Sequence, residues 1–287
     1  MGLIFIALSV SCSLAIAQIL KLAENNKMRI LHILVCNYLA GFLISFFNSA
    51  EFSLLPEFKN EISLWLMGLA ILLGIIFIAN MVVYSRSIDR VGMGVSIAAM
   101  RMSLIFPIAV SLFVFGETIG MIKYAGIILA LSSLLLMVPR IKTKNISGIS
   151  DAWLPILIFI MTGFADSGLK MYEQLFATQI SEDLFVSGIF LISFIVGGSI
   201  LIKRGDVKFT YKEIGYGVAT GIVNLYSSIF LLYALKLMPG SIVFPIVNVT
   251  LVVLGTFIGI WIWKDSPSVK QWSGLAIAII SIFLLLG

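Results

Sequence analysis

Ten stretches of about 20 mostly apolar residues follow one another along the chain, separated by short polar gaps. A helix rises about 1.5 Å per residue, so about 20 residues cross the roughly 30 Å hydrocarbon core of a bilayer. In lipid every backbone N–H and C=O has to be satisfied within the protein, which leaves helices and closed barrels as the spanning structures. Runs of this length without strict alternation predict helices. The expected spans are 2–20, 30–48, 64–84, 92–115, 120–138, 152–172, 184–202, 213–235, 240–263 and 270–286. Of the 287 residues, 60% are hydrophobic and 11% charged, against roughly 25% charged in an ordinary soluble domain. The expected fold class is an all-α integral membrane protein with ten transmembrane helices. The first run lacks the basic flank of a signal peptide and is long for one, so it is read as the first span.

The chain repeats itself. At an offset of 149, residues 17–25 (AQILKLAEN) align with 166–174 (DSGLKMYEQ), which sets Lys21 over Lys170, Glu24 over Glu173 and, further on, Tyr84 over Tyr233. At an offset of 148, Glu117 falls on Asp265 and Gly126 on Gly274. The expected organisation is two five-helix repeats, residues 1–140 and 150–287. An odd number of spans per copy inserts the second copy the other way up, which makes the repeats inverted, as in many secondary transporters. Assigned to the nearest gap, 14 Lys and Arg go with the gaps after the odd-numbered spans and 4 with the other gaps, while Arg101 lies near the middle of a span. Positive residues stay on the cytoplasmic side, so this count places both termini outside the cytoplasm.

The segment 233–285 carries Tyr233-Ala-Leu-Lys, a Pro239-Gly240 turn, a long apolar helix ending at Asp265 and a last helix opened by Gly274. It resembles the second repeat of the drug/metabolite transporter superfamily, EamA type. Residues 84–137 form a looser copy with Glu117 at the matching position. The resemblance covers nearly the whole chain. It implies ten helices around a central cavity and the export or exchange of small polar metabolites. Two features depart from the family pattern: Asp265 stands where Glu is usual, and the family's termini are usually cytoplasmic.

Arg101, in SIAAMRMSLIFPI, is the sharpest site signal. A charge at mid-span costs about 2.5–3.5 kcal/mol on insertion scales, so it is expected to face a cavity or a partner. It is read as an anchor for a carboxylate or phosphate, with a structural ion pair as the other reading. Asp166 is read as a proton relay or amine contact, or as the partner of Lys170 one turn away. Polar groups recur within the spans at Asn37, Asn80, Asn224 and Asn248, together with Tyr226, Ser96 and Ser103. Those in spans four and nine share a face and are expected to line the solute path. Interhelical hydrogen bonding is the other reading for any single amide. Pro107 and Pro245 interrupt the backbone ladder and are candidate hinges. Gly217-xxx-Gly221 is expected to pack helices closely. His32 is expected at the interface, and Cys12 and Cys36 in packing.

The net charge of +5 is read as topology signal and headgroup contact rather than as a nucleic-acid footprint. No metal cluster, phosphate-cradling loop or catalytic constellation is present, so no cofactor and no enzymatic activity are expected. The leading expectation is a secondary transporter for a small polar metabolite, an amino acid or organic anion being favoured, in a bacterial inner membrane. The alternatives are efflux of hydrophobic cations by proton antiport, a non-transporting membrane protein, or a membrane-embedded enzyme. The expected partners are the solute and membrane lipid, and the oligomeric state stays open.

Overall fold

Each expected span coincides with helical structure in a computed structural model, which describes residues 1–49, 64–137, 151–264 and 266–287. The helices are α1 (Gly2–Asn25), α2 (Ile30–Asn48), α3 (Leu64–Val91), α4 (Met93–Met102), α5 (Ile105–Ala109), α6 (Met121–Met137), α7 (Trp153–Leu175), α8 (Glu182–Lys203), α9 (Tyr211–Leu237), α10 (Gly240–Ile262) and α11 (Val269–Leu286). Among the described residues, nine helical stretches are long and apolar enough to cross a membrane, and α6 is a shorter apolar helix of 17 residues. No strand occurs among them. The chain is all-helical and has the helices of an integral, multi-pass membrane protein. The interiors of the connections expected at 49–63 and 139–151, and Asp265, lie outside the described residues.

The fourth span is the one that breaks. Pro107 has no N–H to give the carbonyl of Ser103, and its ring crowds that carbonyl. α4 accordingly ends at Met102, and the Ser103 hydroxyl donates to Met100 O at 2.6 Å. α5 then runs into a single π-turn at Val110–Val114, in which the Phe115 N–H donates to Val110 O at 3.1 Å. Such turns are rare and frequent at functional sites. Its counterpart α10 carries Pro245 inside a helix that stays continuous from Gly240 to Ile262. The two candidate hinges therefore differ, one at a break and one within an unbroken helix.

Apart from the two N-terminal residues, the chain forms two compact units, each drawing on both expected repeats. One consists of Leu3–Ala79 and Met171–Tyr233. Its main contact is α2 antiparallel to α8. The Tyr38 ring meets Phe190 edge-on with centroids 5.4 Å apart, and the Ser45 hydroxyl donates to Asp183 O at 2.6 Å. Phe190 lies over Gly41, its own counterpart at the 149 offset, where any Cβ would collide with the ring. α9 also lies close on α2: a Cβ on Gly221 would fall 2.6 Å from Asn37 O. The expected small-residue packing is thus within this unit. The turn between α1 and α2 is tied down by Arg29, which donates to both carboxylate oxygens of Glu213 at 2.8 and 2.7 Å and pairs with Asp206. His32, in the first turn of α2, is buried beside it, with Nε2 3.0 Å from Asp206 O.

The other unit consists of Asn80–Lys170 and Ala234–Gly287. Here α6 runs antiparallel to α11. A Cβ on Gly126 would lie 2.9 Å from Leu285, and one on Gly274 would lie 2.7 Å from Met137. Those two contacts exchange into one another at the 148 offset, as do the fully buried pairs Ala130/Ala278 and Ser133/Ser281. α10 completes this core with Val249 and Val253 against Ala130, Met137, Leu275 and Ala278. Overpacking a close helix contact costs typically 1–3 kcal/mol. Gly126→Val and Gly274→Val are each expected to lower thermal stability by about that amount, and by similar amounts because the contacts are equivalent. Melting curves of the two variants in detergent check this.

Candidate functional site

The break in the fourth span sets a helix C-terminus where Arg101 sits. The partial negative charge of a helix end favours a cation in the last turn, and Arg101 occupies the last turn of α4. The Arg101 Nη1 donates to Asn248 Oδ1 at 3.2 Å. The Asn248 amide nitrogen donates in turn to Phe244 O at 3.1 Å, which fixes the oxygen toward the guanidinium. Asp166 on α7 and Tyr84 on α3 also act electrostatically on Arg101. One turn away on the same two helices, Asn80 donates to Thr162 Oγ1 at 2.9 Å. The floor of this group is apolar: Val83, Leu154 and Ile158 are buried, with Met100 and Met161 packed against them.

Arg101 carries five N–H donors, and among the described residues it makes a single hydrogen bond. It also keeps part of its surface exposed, as does Asp166. A guanidinium with donors to spare can take a ligand bearing a negative group.

The other expected residues fall elsewhere. Ser96 and Ser103 are fully buried, and their hydroxyls are engaged within the protein, Ser96 with Ser87 Oγ at 2.6 Å and Ser103 with Met100 O. Asn37, Asn224 and Tyr226 belong to the first unit, where Asn224 donates to Asn37 Oδ1 at 3.2 Å and Tyr226 stacks on Phe230. Lys170, counted above with the gap residues, lies inside α7 and is 1% exposed.

Lys170 leads to a cluster that sequence reasoning did not assemble. Beyond the π-turn, Gly116 takes a φ of +64°, a left-handed backbone suited to glycine, and reverses the chain. Glu117 follows, its N–H bonded to Ser111 O at 3.0 Å. Its carboxylate accepts the Gly240 N–H at 2.8 Å, the Ser241 N–H at 2.9 Å, the Ser241 hydroxyl at 2.7 Å and an ion pair from Lys170 Nζ at 3.0 Å. It thus caps α10, whose N-terminal partial charge favours an anion. Burial works to raise the Glu117 pKa, but the bonds from Ser241, Lys170 and Gly240 outweigh it and hold the group below the ordinary 4.5. Glu117 was visible only as a repeat landmark and Gly240 as half of a turn. Nothing local joins residues 123 apart. No group of three His, Cys, Asp or Glu that could hold a metal occurs among the described residues.

No family model matches the chain. An uncharacterized protein of Haemophilus influenzae is 26% identical over 298 residues, covering 96% of this chain and 95% of that protein. A solved crystal structure superposes with a TM-score of 0.74 at 10% identity, covering 99% of this chain and 95% of the other. At that identity the likeness shows a shared fold.

Removing one partner of a buried ion pair costs about 3–5 kcal/mol. Glu117→Gln is expected to lower stability by that order, since it leaves the Lys170 ammonium buried without its carboxylate. The lowered pKa adds a pH signature. The stabilisation is complete above 4.5, the unfolded value, and is lost as pH falls through the lower folded value. The stability difference between native protein and Glu117→Gln should therefore shrink on acidification below that point, which melting curves against pH measure.

Proposed function

We propose that the chain is a secondary carrier of the drug/metabolite transporter superfamily, EamA type, that moves a small polar metabolite by alternating access. Ten spans in two inverted five-helix repeats form its frame, and the solute is an amino acid or organic anion. The observation that carries this reading is Arg101: a guanidinium within a span, at the end of a broken helix, with most of its donors unused and Asp166 beside it. Discontinuous helices whose ends meet the solute are a recurrent device of secondary transporters. Asn248 orients the guanidinium, and Asp166 serves as proton relay or amine contact.

The inverted frame draws support from the helix pairs. A repeat inserted upside down is related to its copy by an axis in the membrane plane, and a helix next to that axis packs antiparallel against its own copy. α2 on α8 and α6 on α11 are such pairs, and their contacts exchange at the repeat offsets. α6, shorter than the other apolar helices, matches α11 at 148 and supplies the tenth span. A bacterial inner membrane accords with the bacterial relative. Proton-coupled efflux of hydrophobic cations is the second reading, favoured by Asp166 as a carboxylate inside a span.

The test is a thermal-shift screen of amino acids, organic acids and cationic drugs against native protein and Arg101→Ala. A ligand at 100 times its Kd stabilises by about 2.7 kcal/mol. Stabilisation by an anionic or zwitterionic metabolite, lost in Arg101→Ala, is the expected result. Stabilisation by cations alone, unchanged in the variant, sinks the anchor and turns the reading to efflux. In proteoliposomes Asp166→Asn is expected to abolish the pH dependence of uptake while exchange persists. A variant with the native pH profile removes Asp166 from proton coupling.

A further inference from the structure

The net charge of +5 is not spread evenly along the chain. Residues 21–29 and 203–213 hold seven Lys and Arg against three Asp and Glu, a net charge of +4 in 20 residues. They cover the turn between α1 and α2 and the loop between α8 and α9, with the helix ends beside them. Arg29 makes one surface of the two segments. It pairs with Asp206, 177 residues away, and with Glu213, and it donates to Lys208 O. His32 adds a second tie, with Nε2 3.0 Å from Asp206 O and its ring edge-on to Phe209 at a centroid distance of 4.9 Å. Glu213 also closes the start of α9, accepting from the Thr210 N–H at 2.9 Å. Two of the three acids are therefore bound to Arg29. Lys27, Lys203, Arg204, Lys208 and Lys212 are exposed, and none of them makes an ion pair among the described residues.

Apolar side chains stand among these cations. Ile202 is 70% exposed, Val207 53% and Tyr211 95%. α8 and α9 are both long and apolar enough to cross a membrane, so the loop that joins them lies at a membrane face. There a cation meets phosphate while the apolar side chain next to it meets glycerol and acyl carbons. A free phosphate or a nucleic acid would use the cations and leave the apolar side chains in water. Clusters of roughly four to eight Lys and Arg beside a spanning helix attract anionic lipid.

We propose that this surface is a binding site for an anionic phospholipid, with the headgroup phosphate on Lys203, Arg204, Lys208 and Lys212 and the lipid's apolar part against Ile202, Val207 and Tyr211. Because Arg29 fixes the loop, recognition depends on where the charges stand and not on their sum. The site requires a chain that crosses a membrane and makes no use of the carrier reading.

The experiment uses the full chain in neutral detergent, with phosphatidylglycerol as the probe against phosphatidylcholine at equal mole fraction. Phosphatidylglycerol is expected to raise the melting temperature saturably and further than phosphatidylcholine does. The combined variant Lys203→Gln, Arg204→Gln, Lys208→Gln and Lys212→Gln should bind it roughly tenfold or more weakly, each lost charge near the surface counting separately. The variant Arg86→Gln, Lys123→Gln, Lys264→Gln and Lys270→Gln has the same net charge and should keep the native response. Equal loss in both variants, no loss in the first, or a native response no larger than that to phosphatidylcholine overturns the proposal. An equal rise with sn-glycerol 3-phosphate, which has the phosphate without the acyl chains, overturns it in favour of a free-phosphate site. Should the first variant fail to accumulate, Arg204→Gln and Lys208→Gln decide singly: each should weaken binding, and unchanged binding in both overturns the proposal.

Discussion

Inside a bilayer a charged or polar group has no water to return to, so the protein has to supply whatever it needs. Arg101 shows how far local structure bends to meet that demand. Pro107 stops α4 at Met102, and the stop sets a helix end in the middle of a span. The same break that weakens the backbone ladder creates the negative end of a helix dipole, and Arg101 stands on it. Asn248 adds an oriented amide oxygen and Asp166 a countercharge. The guanidinium is thereby held in place without being saturated.

The helix pairs obey a second economy. When a helix packs antiparallel on its own sequence counterpart, one contact solution is used twice. Gly126 beneath Leu285 and Gly274 beneath Met137 are the same small-against-large arrangement read in both directions. A self-complementary surface of this kind is what a two-fold relation produces between identical subunits. On the repeat reading, the aligned positions differ where a symmetric contact would be sterically impossible. At the position where α2 and α8 cross, one copy has Gly41 and the other Phe190, since two rings could not share the spot. The fourth span is broken and carries Arg101, while α10 stays whole around Pro245.

Hydrophobic run length made the helices legible, because lipid imposes a minimum span that few other constraints can mimic. Gly126 and Gly274, which align at the 148 offset, make equivalent contacts with Leu285 and Met137. Arg101 and Asp166 stood out for the same reason: a charge inside a span is conspicuous in any apolar background. What sequence could not supply was pairing. Ser96 and Ser103 share a helical face with Met100 and Pro107, yet both turn their hydroxyls back on nearby protein atoms. Asn37 and Asn224 look like the other mid-span amides but bond to each other in a separate unit. Lys170 sits near the end of its apolar run and reads as a gap residue, whereas Glu117 reaches it from far along the chain.

Arg101 and Lys170 show two ways of meeting a cation that lies on an apolar helix. Lys170 is sealed from solvent, and its carboxylate partner also holds two backbone N–H groups and a hydroxyl. Every bond made to Glu117 strengthens the case for keeping that carboxylate in place, because removing it would strand several donors at once. Among the described residues Arg101 makes one hydrogen bond of modest length, and it stays partly exposed. A group so placed gains most from a ligand that brings its own oxygens, and loses little when that ligand leaves. Among the described residues the chain bonds a carboxylate to Lys170 and leaves most of Arg101's donors uncommitted.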